Sequence, residues 1–137
     1  MMELLDIKIV KGLPPNIGVI RLFFKLPDKL ENVAFAYGDA IYSLGDPSED
    51  LIRHEAVHLE QQKRIGGPEI WWKKYMEDKK FRLEQEIPAY RAQLHSWRLA
   101  NDKKWHKYCL EQMATHLSSE IYGNMVDYKT AYKLIGE

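Results

Sequence analysis

Two histidines four residues apart, in the string Arg53-His54-Glu55-Ala56-Val57-His58, constrain this chain more than any other feature. On a helix of ~3.6 residues per turn, His54 and His58 share a face and their rings converge on a single ion. Glu55, about 100° round from His54, reaches a metal-bound water without being a ligand. H-E-x-x-H on a helix therefore pairs two zinc ligands with a carboxylate that takes the water's proton, the metal having brought that water's pKa to about 7. Two ligands do not complete such a site. A catalytic zinc wants three protein ligands and an open position, so a later element must return to the motif helix with a third donor.

The motif helix has readable ends. Asp46-Pro47-Ser48-Glu49 offers an N-cap at Asp46, proline at the first helical position and an acid at the third to close a capping box. Lys63-Arg64 followed by Gly66-Gly67-Pro68 ends the helix with cations and glycine. Before it, Ile7–Val10, Val19–Phe24 and Ala34–Ser43 read as strands separated by proline and glycine turns, which predicts a small antiparallel or mixed sheet of about three strands. After it, helices are expected over Ile70–Met76, Phe81–Leu99, Lys104–Ser118 and Asp127–Ile135. The fold class is thus α+β in one domain over residues 1–137: an N-terminal sheet, then a mainly helical part with H-E-x-x-H on its first helix.

Twenty basic and twenty acidic residues cancel, which leaves no net field to attract nucleic acid or an anionic membrane. The lysines at 73, 74, 79, 80, 103, 104 and 107 are interleaved with acids and read as solvated faces. Trp71, Trp72, Tyr75 and Met76 read as core. Cys109, the single cysteine, lies in an apolar helical stretch as a small buried hydrophobe and points to a reducing compartment. No signal peptide or membrane span is legible, so a cytoplasmic location is expected.

The third ligand can be sought by enumeration. The extended H-E-x-x-H-x-x-G-x-x-H pattern is excluded because positions 61 and 64 are Gln61 and Arg64. A carboxylate from a later helix remains, and Phe81-Arg82-Leu83-Glu84-Gln85-Glu86 offers two on nearly opposite faces. Glu86 shares its face with Ala89, Tyr90 and Gln93, and a small alanine there lets the two helices approach closely, so Glu86 is preferred to Glu84.

With these pieces in order the chain resembles the gluzincin branch of zinc metallopeptidases, in particular the small single-domain, minimal zincin-like ones of bacterial and phage genomes. Gly38-Asp39-Ala40-Ile41-Tyr42 looks like the edge strand before the motif, and Leu51 to His58 like the motif helix. Gln61 or Gln62 and Gly66 stand at familiar positions, and Glu86-Ile87-Pro88-Ala89-Tyr90 is similar to the segment carrying the third ligand. The resemblance spans roughly residues 33 to 93. It implies that His54, His58 and Glu86 bind zinc and that Glu55 is the general base. Two features depart from it. Pro88 removes a helical donor and crowds the carbonyl of Glu84, which predicts a bend or a helix start near Glu86. The oxyanion-stabilising residue is unassigned among Tyr90, Tyr122, His95, His106 and His116.

The expected function is a zinc-dependent peptidase or amidase acting on a peptide or protein substrate, which would pair along the edge strand Ala34–Ser43. The alternative is a catalytically inactive zincin-like module in which the metal only holds helices together.

Overall fold

A computed structural model describes residues 7–98 and 103–137. Met1–Asp6 and Leu99, the expected end of one helix, lie outside the described residues. The described elements are β1 (Lys8–Lys11), α1 (Ile17–Phe23), β2 (Ala34–Tyr37), β3 (Ala40–Ser43), α2 (Glu49–Ile65), α3 (Pro68–Glu77), α4 (Lys79–Arg98), α5 (Lys103–Leu117), a single 3-10 turn (Glu120–Tyr122) and α6 (Tyr128–Gly136). The architecture is α+β: a three-stranded sheet of order β1-β3-β2, β1 parallel and β2 antiparallel to β3, with helices making up the rest. Among the described residues no helix is long and apolar enough to cross a membrane.

The number of strands agrees with the sequence reading, but two of the three segments do not. Val19–Phe24, expected as a strand, belongs to helix α1 and its C-cap. Ile20 and Phe24 are buried there, while Val19, Leu22 and Phe23 face out at 46%, 82% and 52% exposure. A run apolar at nearly every position carries no alternation, and here only the positions one helical turn apart are buried. Ala34–Ser43, read as one strand, is a hairpin. Tyr37 pairs with Ala40 across the two-residue turn Gly38-Asp39, and Gly38 takes a φ of 69° that glycine adopts without strain. The edge reading changes accordingly: β3, which contains Ala40–Tyr42, is the central strand, and β2 is the edge beside α2.

Helix α2 starts two residues later than the sequence suggested. Ser48 is the N-cap, its hydroxyl accepting from the Leu51 amide at 3.4 Å, and Asp46 and Pro47 precede the helix. Residue 51 is therefore at the third helical position and no capping box forms. At the other end Gly66 caps in the left-handed region at φ 111°, as expected, and Gly67 at φ 132° turns the chain into α3. Helix α4 begins at Lys79 and runs through Pro88, so it does not start near Glu86. Pro88 and Glu84, whose carbonyl loses its helical donor, are both exposed, where water can supply the missing bond.

Trp71, Trp72, Tyr75 and Met76 are buried with Ile20, Phe24 and Phe35 in one apolar cluster between α1, α3 and the sheet. Cys109 is buried in a second cluster, built by α4, α5 and α6. Helix α2 packs along α4, buries Leu59 against Ala34, Ala36 and Ile41 of the sheet, and is fastened to the sheet by Gln62. That side chain is fully buried, accepts from the Gly38 amide at 2.7 Å and donates to the Ala36 carbonyl at 2.8 Å.

Candidate metal centre

His54 and His58 project from one face of α2 and are each 3% exposed. Glu86, 2% exposed, projects from α4 between them, whereas Glu84 faces solvent. Ala89, one turn on from Glu86 on α4, has no exposed surface. The one ligand-type atom that each of His54, His58 and Glu86 offers lies within 4.8 Å of the other two. This is the face of α4 that the sequence selects.

The protonation pattern follows from hydrogen bonds. His54 Nδ1 lies 2.9 Å from Gln93 Oε1, and His58 Nδ1 lies 2.8 Å from Gln61 Oε1. Each glutamine amide is oriented by a second bond. Gln93 Nε2 donates to Asp50 Oδ2 at 3.3 Å, and Gln61 Nε2 donates to the Gln85 carbonyl at 3.0 Å, and neither partner can donate in return. The amide oxygens therefore face the rings, both Nδ1 atoms carry the proton, and a neutral ring has its lone pair on Nε2. Both Nε2 atoms lie 3.0 Å from the same oxygen, Glu86 Oε1. Two lone pairs and a carboxylate oxygen do not attract one another. Such a cluster needs either extra protons on the rings or a cation among the three donors.

The donor set fits a divalent cation. Ligand atoms ~2.0–2.2 Å from a tetrahedral zinc are about 3.3–3.6 Å apart, so the two 3.0 Å histidine–carboxylate separations need widening by a few tenths of an ångström, and the three atoms already lie within 4.8 Å of one another. Without a cation the His58 ring takes a proton. Burial lowers the affinity of His58 for its proton, but the charge and hydrogen bond of Glu86 outweigh it and hold His58 at about 9. Burial likewise works to raise Glu86, and the two histidines outweigh it and keep its carboxyl well below the usual range.

Glu55 is buried beside this cluster, its Oε2 3.8 Å from His54 Nε2. Burial raises its pKa above the ordinary carboxylate value, the His54 and His58 rings and the Ala36 amide acting in the opposite sense. Together with His58, Tyr75 and Glu86 it lines a cavity of about 120 Å³ whose other walls are mostly apolar, including Ile20, Phe24, Val33 and Ile121. Of the five residues left open for the oxyanion, His116 and Tyr122 line this cavity. Tyr90 instead bonds its hydroxyl to that of Tyr122 at 2.7 Å and packs its ring 4.5 Å from His54. His95 lines a separate surface cavity with Arg91 and Leu94, and His106 lines none of the cavities described.

Three contributors escaped the sequence reading. Gln61 and Gln93 were visible as positions on the right helix faces, three residues after His58 and seven after Glu86, but spacing alone does not reveal which amide atom turns inward. Tyr75, read as core, is core by burial and also donates its hydroxyl to Glu86 Oε2. Only the turn at Gly66-Gly67 brings it there, and no local pattern announces that. Comparison with known protein families, with curated proteins and with solved structures finds no match to this chain.

Proposed function

We propose that this protein is a zinc-dependent hydrolase of peptide or related amide bonds, with His54, His58 and Glu86 as ligands and Glu55 as general base. One observation carries the reading. Both histidines have their Nδ1 protons committed to glutamine oxygens, which aims two lone pairs and one carboxylate oxygen at a common point beside a second buried carboxylate. When bound, the ion supplies Lewis acidity for a substrate carbonyl and for water. Everything else is the chain's own work. Glu55, with its raised pKa, is suited to take a proton from the attacking water and to return it to the leaving amine.

Substrate binding follows from β2. Phe35 and Tyr37 pair with Tyr42 and Ala40 on β3, and the Ala36 carbonyl points away from β3 to receive Gln62 and Trp72. By the two-residue repeat of a strand, the backbone groups of Ala34 point the same way, and Ala34 lines the cavity. An extended peptide can add to β2 at Ala34, with its backbone next to Glu55. The apolar walls and a volume below the ~150 Å³ that holds benzene suit a Leu-sized side chain. Tyr122 and His116 are the cavity residues able to donate to a developing oxyanion.

The test is hydrolysis of a peptide library by the zinc-loaded protein beside Glu55→Gln and a chelator-treated sample. Turnover in the loaded protein that both treatments abolish is expected. A protein that holds zinc and melts on its removal, yet cleaves no member of peptide or peptidoglycan libraries, would instead be the inactive module.

A further inference from the structure

We propose that Tyr75 is a positioning residue for Glu86, holding this carboxylate to single-oxygen ligation of the metal. The proposal rests on the metal-centre reading above and concerns a residue that the reading does not use. Glu86 divides its two oxygens between different partners. Oε1 lies 3.0 Å from each histidine Nε2, and Oε2 receives the Tyr75 hydroxyl. A carboxylate with both oxygens free can ligate through either or through both. One oxygen engaged by a phenol removes that choice.

The ring that carries this hydroxyl is clamped on several sides. Trp71 stacks on it at 4.6 Å with an interplanar angle of 21°, Phe24 meets it edge-on at 5.8 Å and Trp72 at 5.3 Å. Arg82 closes the remaining side, its guanidinium carbon 5.5 Å from the ring centre. The same guanidinium donates to the carbonyls of Tyr75, Met76 and Tyr122, each at 2.8 Å. These hydrogen bonds go to backbone carbonyls rather than to Glu86, so the arginine fixes the tyrosine and the tyrosine fixes the carboxylate. Within a cluster this apolar a phenylalanine would pack as well, and a buried tyrosine hydroxyl needs a partner, which here is Glu86. If the hydroxyl is removed, Oε2 is left buried and unpaired, free to turn toward the metal or to draw Glu86 away from His54 and His58.

The experiment is a chelator competition titration of zinc against wild type, Tyr75→Phe and Glu86→Ala, with visible spectra of the cobalt(II)-substituted proteins and thermal melts of each. For Tyr75→Phe the expected result is a folded protein whose zinc affinity is about 10–100-fold weaker and whose cobalt absorption is less intense, as in a site of higher coordination number. Wild-type affinity and an unchanged cobalt spectrum in Tyr75→Phe, beside a large loss in Glu86→Ala, overturn the proposal and leave the metal centre standing. Failure of the wild type to bind zinc or cobalt overturns both. Should Tyr75→Phe fail to fold, 3-fluorotyrosine at position 75 keeps the ring and makes its hydroxyl a stronger donor. A shifted cobalt spectrum supports the role there, and an unshifted one with unchanged affinity refutes it.

Discussion

Replacing Gln62 with leucine tests how the motif helix is held to the sheet. The side chain is fully buried and bonds both β2 and the turn after it: it donates to the Ala36 carbonyl at 2.8 Å and accepts from the Gly38 amide at 2.7 Å. The two losses are unequal. Ala36 keeps a second donor, Trp72 Nε1 at 2.9 Å, so its carbonyl remains satisfied. Gly38 is only partly buried, so water can reach its orphaned amide, which puts Gln62→Leu near the low end of the ~1–3 kcal/mol for a stranded donor, about 1 kcal/mol. For a chain of this size a kilocalorie moves Tm by about 3–5 °C, so the melt should fall by about that much. Differential scanning calorimetry of the metal-free proteins reads it directly, with the exposed neighbour Lys63→Ala as control. A Gln62→Leu melt within a degree or so of wild type would show that Gly38 finds another partner and that Gln62 does not fasten α2 to β2.

Glu55→Gln should keep its metal and lose at least ~100-fold in hydrolysis, because the amide preserves shape and cannot accept the proton; kinetics beside metal analysis check both halves. His54→Ala should instead lose the metal, and equal loss in Glu55→Gln would mean that Glu55 ligates. Glu86→Ala should weaken zinc binding strongly while Glu84→Ala, on the exposed face, changes stability by no more than about 0.5 kcal/mol; a larger affinity loss in Glu84→Ala would refute the assignment. Zinc binding at neutral pH should release protons and tighten as pH rises toward about 9, since zinc displaces the proton that Glu86 holds on His58; calorimetry in buffers of different ionisation enthalpy measures the release. The metal-free fold should respond in the opposite direction. A histidine raised from 6.5 to about 9 contributes stability that is complete below 6.5 and is lost as pH rises through 9, so melts that strengthen across that window would contradict the burial of a charged His58–Glu86 pair.

Helical periodicity made most of the site legible. His54, Glu55 and His58 follow from spacing on one helix, and Glu86 was separable from Glu84 because a small residue one turn away marks the face that can approach another helix. Sequence reasoning failed where burial is decided by distant packing. Val19–Phe24 is apolar at every position but Arg21, so nothing local says that α1 leaves Leu22 and Phe23 in water and buries Ile20 and Phe24. The Gly38-Asp39 turn was readable as a hairpin signal and was overlooked inside a longer apolar run. Pro88 does not mark a helix start, because an exposed proline inside a long helix leaves a carbonyl without its donor where water can reach it.

The central claim is that His54, His58 and Glu86 form one metal site, and elemental analysis after zinc-supplemented expression tests it most directly. Purified wild type should carry about one zinc per chain, and His54→Ala and Glu86→Ala, shown to be folded, should carry little or none. A folded wild-type protein without stoichiometric metal, or a His54→Ala variant that retains it, would contradict the account.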